Sequence, residues 1–396
     1  MRKLIWRFVR SPVSFERDVR LLNVQPCGCR PPADRLIYRT TVNVHHRRPS
    51  VRILSVGTAL PKRRISNDQR IEEVLTQIGR HLSAADLDRL DSRLRWVLKT
   101  AGAEYRYLRG QGERAVDLGI EAGLRAIEMA GLHKTDIDLL VYVGVGKGLV
   151  EPASANVFQH ELGLSSATCF DVSDACAAWL RGVDIAHHLL RSGQYRNAMI
   201  LNCEFNVYEY GGAAIQRMED LPPIEAGVTV GEAATATVLS GDKRTGDDDF
   251  YASFRNNGQH LSACIIPLPQ VGQYVNYGTR EPAILQFRVD TKSLHRHVLR
   301  QLHSHYQEDK RIHSFNPDLI VIHAVGAKSA LLAIKRLKME NHAFADSFPR
   351  YGNTVSASMP LTLADAIGEG RVSVGTRILF AVGSAGVTTG FATFTF

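Results

Sequence analysis

"FDVSDACAAWLRGVD", residues 170–184, joins a short apolar strand to an apolar helical pattern through small residues around one cysteine. Ala175, Ala177 and Ala178 leave room beside Cys176, which falls at the N-terminal end of the helix. Unpaired backbone N–H groups and the positive end of the helix dipole favour a thiolate there. The same N–H groups can hold an oxyanion formed beside the sulfur. Taken alone, the stretch admits two readings: a small core residue, as most lone cysteines are, or a nucleophile.

The segments around it alternate between the two secondary structures. "RAVDLGIEAGLRAIEMA" (114–130) puts Val116, Ile120, Leu124 and Ile127 on one helical stripe, with Gly131 just past its end. "IDLLVYVGV" (137–145) is a continuous apolar run, as expected of a strand buried on both faces. "CFDV" (169–172), a helix from 176 to about 191, "AMILNCEF" (198–205) and "ATATVLS" (234–240) continue the series. A layered α/β fold with helices covering a sheet follows. After the charged "GDKRTGDDD" (241–249) the pattern restarts. "PDLIVIHAVG" (317–326) echoes "IDLLVYVGVG" (137–146), and "TRILFAVGSAG" (376–386) falls where "AMILNCEF" fell, which points to an internal duplication.

Composition narrows the functional classes. The net charge of +8 is confined to residues 1–50, which hold 11 Lys and Arg against 3 Asp and Glu; the remaining 346 residues carry 37 of each sign. The body is neutral, so nucleic-acid binding loses its support. The Arg- and Pro-rich leader is read as a disordered extension or an over-long start, and Cys27, Cys29, His45 and His46 match no usual zinc spacing. No stretch reaches the ~20 apolar residues of a membrane helix. Six scattered cysteines fit a reducing, cytoplasmic compartment. The loop "GVGKG" (144–148) lacks a dinucleotide fingerprint, and the glycine turn "GSAGVTTG" (383–390) lacks the lysine of a phosphate loop. Five histidines in "HRHVLRQLHSHYQEDKRIH" (295–313) contain no i, i+4 pair and are read as a polar, solvated helix face.

The second half supplies partners for Cys176. His323 interrupts an apolar strand end, and Asn353 follows a Tyr-Gly turn at the head of a helix with small first residues. Each has a bland reading, as a structural histidine and an N-cap. Together with Cys176 and the final glycine turn, they resemble β-ketoacyl-acyl-carrier-protein synthase III and its relatives in the thiolase superfamily. The resemblance runs from about residue 52 to 396, through "LPKRRISN" (60–67), "RAIEMAGLHKTDIDLLV" (125–141), "FDVSDACAAW" (170–179) and "YGNTVSASMPLTL" (351–363).

That resemblance implies a five-layered αβαβα fold of two duplicated halves, residues 51–241 and 249–396, in a homodimer. It implies that Cys176 takes an acyl group from acyl-CoA or acyl-carrier protein, that His323 and Asn353 stabilise the enolate of a second thioester, and that the N–H groups of Cys176 and Gly386 form the oxyanion hole. No metal or redox cofactor is implied; CoA or phosphopantetheine thioesters are the substrates. Trp96 matches the tryptophan that stacks near the CoA adenine, while Thr100 and Lys328 stand where the family carries arginines. "His323-Ala324-Val325-Gly326" replaces the usual His-Gln-Ala-Asn, and residues 205–227 exceed the usual connection. Glu151 stands where a phenylalanine commonly crosses the dimer. A glutamate there resembles relatives that join two acyl chains without losing carbon dioxide, where it is a base; the alternative is an interface carboxylate. Acyl transfer to an alcohol or amine, and a non-catalytic partner subunit, are the competing functions.

Overall fold

Leu139, Val141 and Val143 alternate with Leu140 and Tyr142 along one strand, and the two sets enter different cores. That two-sided burial is why the segment reads as a continuous apolar run. The computed structural model describes residues 50–396 except 206, 208–217, 219–220, 222–224, 243–249 and 269–286. The leader with its cysteines and histidines, most of the long connection at 205–227 and most of the charged break at 241–249 lie outside the described residues.

One five-stranded sheet has the order β1 (Ser50–Ala59), β7 (Ala233–Asp242), β6 (Asn197–Glu204), β4 (Leu139–Val143) and β5 (Thr168–Val172). The other has the order β12 (Phe344–Ala345), β11 (Leu319–Ile322), β13 (Arg377–Ser384), β14 (Thr388–Thr395) and β8 (Tyr251–Asn256). Read from β5 and from β12, each sheet runs parallel, parallel, antiparallel, antiparallel. The two echoed segments are β4 with β11 and β6 with β13, at equivalent places in the two sheets. Two small pairs, β2 (Arg63–Ser66) with β3 (Tyr105–Leu108) and β9 (Cys264–Ile265) with β10 (Arg288–Val289), complete the strands.

The hydrophobic clusters define the layers. Between the sheets lie helices Ala178–Arg191 and Ser358–Gly368, whose Trp179, Val183, Met359 and Leu363 pack with Val141 of β4 and Val321 of β11. Helices Ala115–Met129 and Ser154–Leu162 cover the outer face of the first sheet. Helices Thr291–Glu308 and Ala327–Leu337 cover the outer face of the second. The result is the five-layered αβαβα arrangement of two similar halves.

Two expectations change. Helix Ala115–Met129 buries Gly119, Ala122, Gly123 and Ala126, while Leu124 is exposed. Ile127 of the expected stripe is buried and Val116 and Ile120 pack against the same core, so only Leu124 departs. Close approach puts small residues at the centre of the contact, where a Cβ on Gly57 of β1 would lie 2.2 Å from the Ala122 carbonyl oxygen. The histidine-rich helix is not a wholly solvated face either. His305 is fully buried, bonded to Ser253 Oγ at 2.9 Å and Thr389 Oγ1 at 3.0 Å, and His295 turns into the interior.

Candidate active site

Cys176 sits in a 3₁₀ turn, Ala175–Ala177, between β5 and helix Ala178–Arg191. The turn begins with Ala175 at φ +45°, a left-handed conformation that costs a non-glycine residue about 1–2 kcal/mol. Its surroundings hold it there. The Asp174 carbonyl accepts from Ala177 N at 3.0 Å and from Ser384 Oγ at 3.2 Å. The Asp174 carboxylate accepts from Arg181 Nε at 3.1 Å and Thr388 Oγ1 at 3.4 Å. Ser384 and Thr388 belong to the second half, so the turn in the first half is fixed from across the duplication.

Asn353 precedes an equivalent turn. Val355, at φ +50°, opens the 3₁₀ segment Val355–Ala357 ahead of helix Ser358–Gly368. Asn353 N donates to the Thr229 carbonyl at 2.9 Å, and its own carbonyl accepts from Gly231 N at 3.1 Å. Its side-chain Oδ1 accepts from Val355 N at 3.0 Å. That bond fixes the amide, with Oδ1 on the backbone and Nδ2 left as a donor.

Cys176 and Asn353 line one cavity of about 510 Å³, walled mainly by apolar side chains such as Val207, Ile266, Phe287 and Leu294. Its volume is that of a small-molecule site. His323, only 7% exposed, lines a second cavity of about 50 Å³ that shares His295, Val325 and Gly383 with the first. Its Nδ1 bonds Ser358 Oγ, and its Nε2 is buried without a partner. Burial pulls the imidazole down to about 4, so it is neutral at pH 7.

The thiol differs from expectation. Burial pushes the Cys176 thiol up, reinforced by nearby Cys264 and Glu204, while the Ser384 hydroxyl and the Cys176 backbone pull the other way and lose. The helix terminus alone does not make a thiolate here, because apolar walls penalise the charge more.

Glu204, at the end of β6, is a functional element that the sequence reading passed over. It is buried, and it accepts from Val145 N at 3.1 Å, Gly146 N at 3.0 Å, Ser356 N at 3.3 Å and the Ser356 hydroxyl. These bonds tie the loop after β4 to the turn after Asn353. Burial nevertheless raises its pKa above the ordinary carboxylate range. The available signal was an acid closing an otherwise apolar run, "AMILNCE". Ser384, Cys264 and His295 were likewise missed; all three line the cavity.

The remaining candidates lie elsewhere. The cavity wall runs through Gly383, Ser384 and Ala385, with Gly386 next in a left-handed turn at φ +94° and outside the lining. Glu151 and Lys328 are exposed, and neither lines the cavity. Trp96 is 54% exposed, with the Arg93 guanidinium 4.4 Å above its ring. Among the described residues, no group of three or more His, Cys, Asp or Glu side chains is placed to hold a metal ion.

A profile described as 3-oxoacyl-[acyl-carrier-protein (ACP)] synthase III matches residues 170–258, and its C-terminal counterpart matches residues 308–396. The first spans Cys176, the second His323 and Asn353. Both halves of the chain match the β-ketoacyl-ACP synthase III family. β-Ketoacyl-[acyl-carrier-protein] synthase III of Clostridium perfringens is 26% identical to this synthase-like chain over 353 residues, 87% of this chain and 98% of the relative. That of Bartonella bacilliformis is 25% identical over 344 residues, covering 85% and 96%. Among solved structures, an OleA variant from Xanthomonas campestris superposes with a TM-score of 0.72 at 21% identity, covering 88% of this chain and 98% of its own. FabH from Xanthomonas oryzae gives 0.70 at 21%, covering 88% and 99%. The synthase-like chain therefore has the thiolase fold and is a condensing acyltransferase by family.

Proposed function

We propose that the enzyme carries an acyl group on Cys176 and joins it, in a Claisen-type condensation, to a second thioester held by Asn353 and His323. The carrying observation is that the Asn353 amide, oriented by Val355 N, faces the cavity that Cys176 lines, with His323 lining the adjoining one. In acylation, the Cys176 thiol gives its proton to the free Nε2 of neutral His323 as sulfur attacks the thioester carbonyl. The oxyanion is held by backbone N–H groups at Cys176 and the Gly386 turn. Collapse expels the donor thiolate, which takes the proton from His323.

In condensation the same pair acts on the second substrate. Ser358 Oγ has one proton and two acceptors, the Val355 carbonyl at 3.0 Å and His323 Nδ1. Turned toward Nδ1, it leaves the proton on Nε2, and His323 and Asn353 Nδ2 then both donate to the thioester carbonyl as the enolate forms. Its α-carbon attacks the acyl carbonyl and Cys176 leaves as thiolate. With a malonyl donor, loss of carbon dioxide generates the enolate. With a simple acyl thioester, a base must take an α-proton. Glu151 lies outside the cavity of a single chain, so that role for it requires the partner of a homodimer.

Acyl-CoA and acyl-carrier protein are the proposed donors. Trp96, exposed on helix Ala84–Ala101, and Lys328, exposed on helix Ala327–Leu337, are the proposed contacts for the carrier's nucleotide end, and the cytoplasm is the proposed compartment. The test is mass spectrometry after incubation with acyl-CoA and acyl-carrier-protein donors of graded chain length. An adduct on Cys176 that is lost in Cys176→Ala is expected; no adduct with any donor overturns the reading. Product from malonyl and simple acyl donors, compared in wild type and Glu151→Gln, decides the subtype. Unchanged non-decarboxylative turnover removes Glu151 as the base.

A further inference from the structure

Three elements run side by side from the small cavity into the large one. On helix Thr291–Glu308, Leu302, Leu299 and Val298 line the small cavity, His295 lines both, and Leu294 and Thr291 line the large one. On β13 the order is Ala381 and Val382, then Gly383, then Ser384; from the end of β11 it is Ile322 and His323, then Val325. His295 is thus the polar side chain at the junction between the cavity of His323 and the cavity of Cys176. The helix reaches the strand closely there: a Cβ on Gly383 would meet Val298 Cγ1 at 2.2 Å.

His295 Nε2 is buried and has no hydrogen-bond partner, as is the case for His323 Nε2. An unpaired buried imidazole nitrogen is destabilising unless something meets it. The cavity the two rings share, about 50 Å³, is of the size that holds one water, which needs two or more polar partners. Burial lowers the pKa of both rings, so each offers one donor and one acceptor nitrogen.

We propose that His295 is a positioning residue of the condensing site, which fixes the Nε2 proton of His323 through a water held between the two rings. A water that accepts from one nitrogen and donates to the other keeps a proton available at His323 Nε2 when the enolate forms. No bond other than hydrogen bonds changes in this step, and the proton count of the pair is conserved. The proposal rests on the acyl-Cys176 reading above.

The test measures the two half-reactions separately in wild type, His295→Leu and His295→Gln, with thermal unfolding of each. Leucine removes both nitrogens, whereas glutamine restores a polar group at the junction. The expected result is Cys176 acylation within about threefold of wild type in both variants. Condensation kcat should fall by at least about 10-fold in His295→Leu, less than the ~10²–10⁴-fold of an acid–base group itself because His295 acts through His323, with KM unchanged. Glutamine should recover most of that loss. Unchanged condensation in His295→Leu overturns the proposal, as does an equal loss of acylation and condensation in both variants with a lowered Tm. Wild type that forms no acyl-Cys176 overturns the condensing reading itself, so the two failures are distinct.

Discussion

Replacing Glu204 by alanine removes one acceptor from four donors at once. Ser356 Oγ still accepts from Asn202 Nδ2 at 3.3 Å, and its hydroxyl proton can rotate away from the lost carboxylate. The backbone N–H groups of Val145, Gly146 and Ser356 cannot turn, and each stranded buried donor costs about 1–3 kcal/mol. Removing a carboxylate whose pKa burial has raised returns part of this, because its desolvation is no longer borne. The net expectation is a loss of about 3–5 kcal/mol, a large share of the ~5–15 kcal/mol that stabilises a folded protein. Glu204→Gln keeps one carbonyl oxygen but presents an NH₂ to the remaining donors, and should fall about midway. Urea unfolding followed by circular dichroism, with the midpoint and slope fitted together, measures both. Alanine within about 1 kcal/mol of wild type, or glutamine as damaging as alanine, would refute the reasoning. Because the three N–H groups flank Cys176 and Asn353, the glutamine variant should also lose condensation while it remains folded.

Other outcomes follow from the same geometry. The raised Cys176 pKa predicts that iodoacetamide alkylation climbs about tenfold per pH unit between pH 7 and 9, as thiolate forms from a mostly protonated thiol; a plateau below pH 8 would restore the helix-terminus reading. Asn353→Asp keeps the acceptor for Val355 N but loses Nδ2, so condensation should drop about 10²–10³-fold while Cys176 still acylates. Acid should destabilise the fold through His305. Its folded pKa, pulled down to about 4 chiefly by burial, lies below the unfolded value, so stability present above pH ~6.5 is lost as pH falls toward 4. His305→Gln should flatten that limb of a Tm-against-pH curve.

Much of this arrangement was legible in the order of residues. Two apolar runs, "IDLLVYVGV" and "PDLIVIHAVG", report strands buried on both faces, and their likeness reports the duplication, because equivalent places in equivalent sheets impose the same burial. Cys176, His323 and Asn353 stand out because each interrupts its local pattern. What pattern cannot carry is the sign of competing terms. The helix terminus and the apolar walls act oppositely on Cys176, and only the packed structure decides between them. Glu204 and His295 were hidden for a related reason: one looked like the polar end of a strand, the other like one of five surface histidines. Burial of either is fixed by elements more than 80 residues away, Ser356 for Glu204 and β13 for His295.

The two strained turns explain why neither half can act alone. Ala175 at φ +45° precedes Cys176, and Val355 at φ +50° precedes Ser356, at equivalent places ahead of the two central helices. Each turn is buttressed by the end of the equivalent strand of the opposite half: Ser384 of β13 bonds the Asp174 carbonyl and Ala177 N, and Glu204 of β6 bonds Ser356. The support is reciprocal, yet the chemistry it permits is not. Ser384 presents only a neutral hydroxyl to the Cys176 thiol, the proposed nucleophile. Glu204 engages both the backbone N–H and the hydroxyl of Ser356, so the position equivalent to Cys176 is bound into the framework. Duplication thus yields two identical scaffolds for a reactive residue, and a single carboxylate converts one of them into the rigid mount for Asn353. A reaction with two substrates needs that division, since one site must hold a covalent acyl group while the other holds an enolate still.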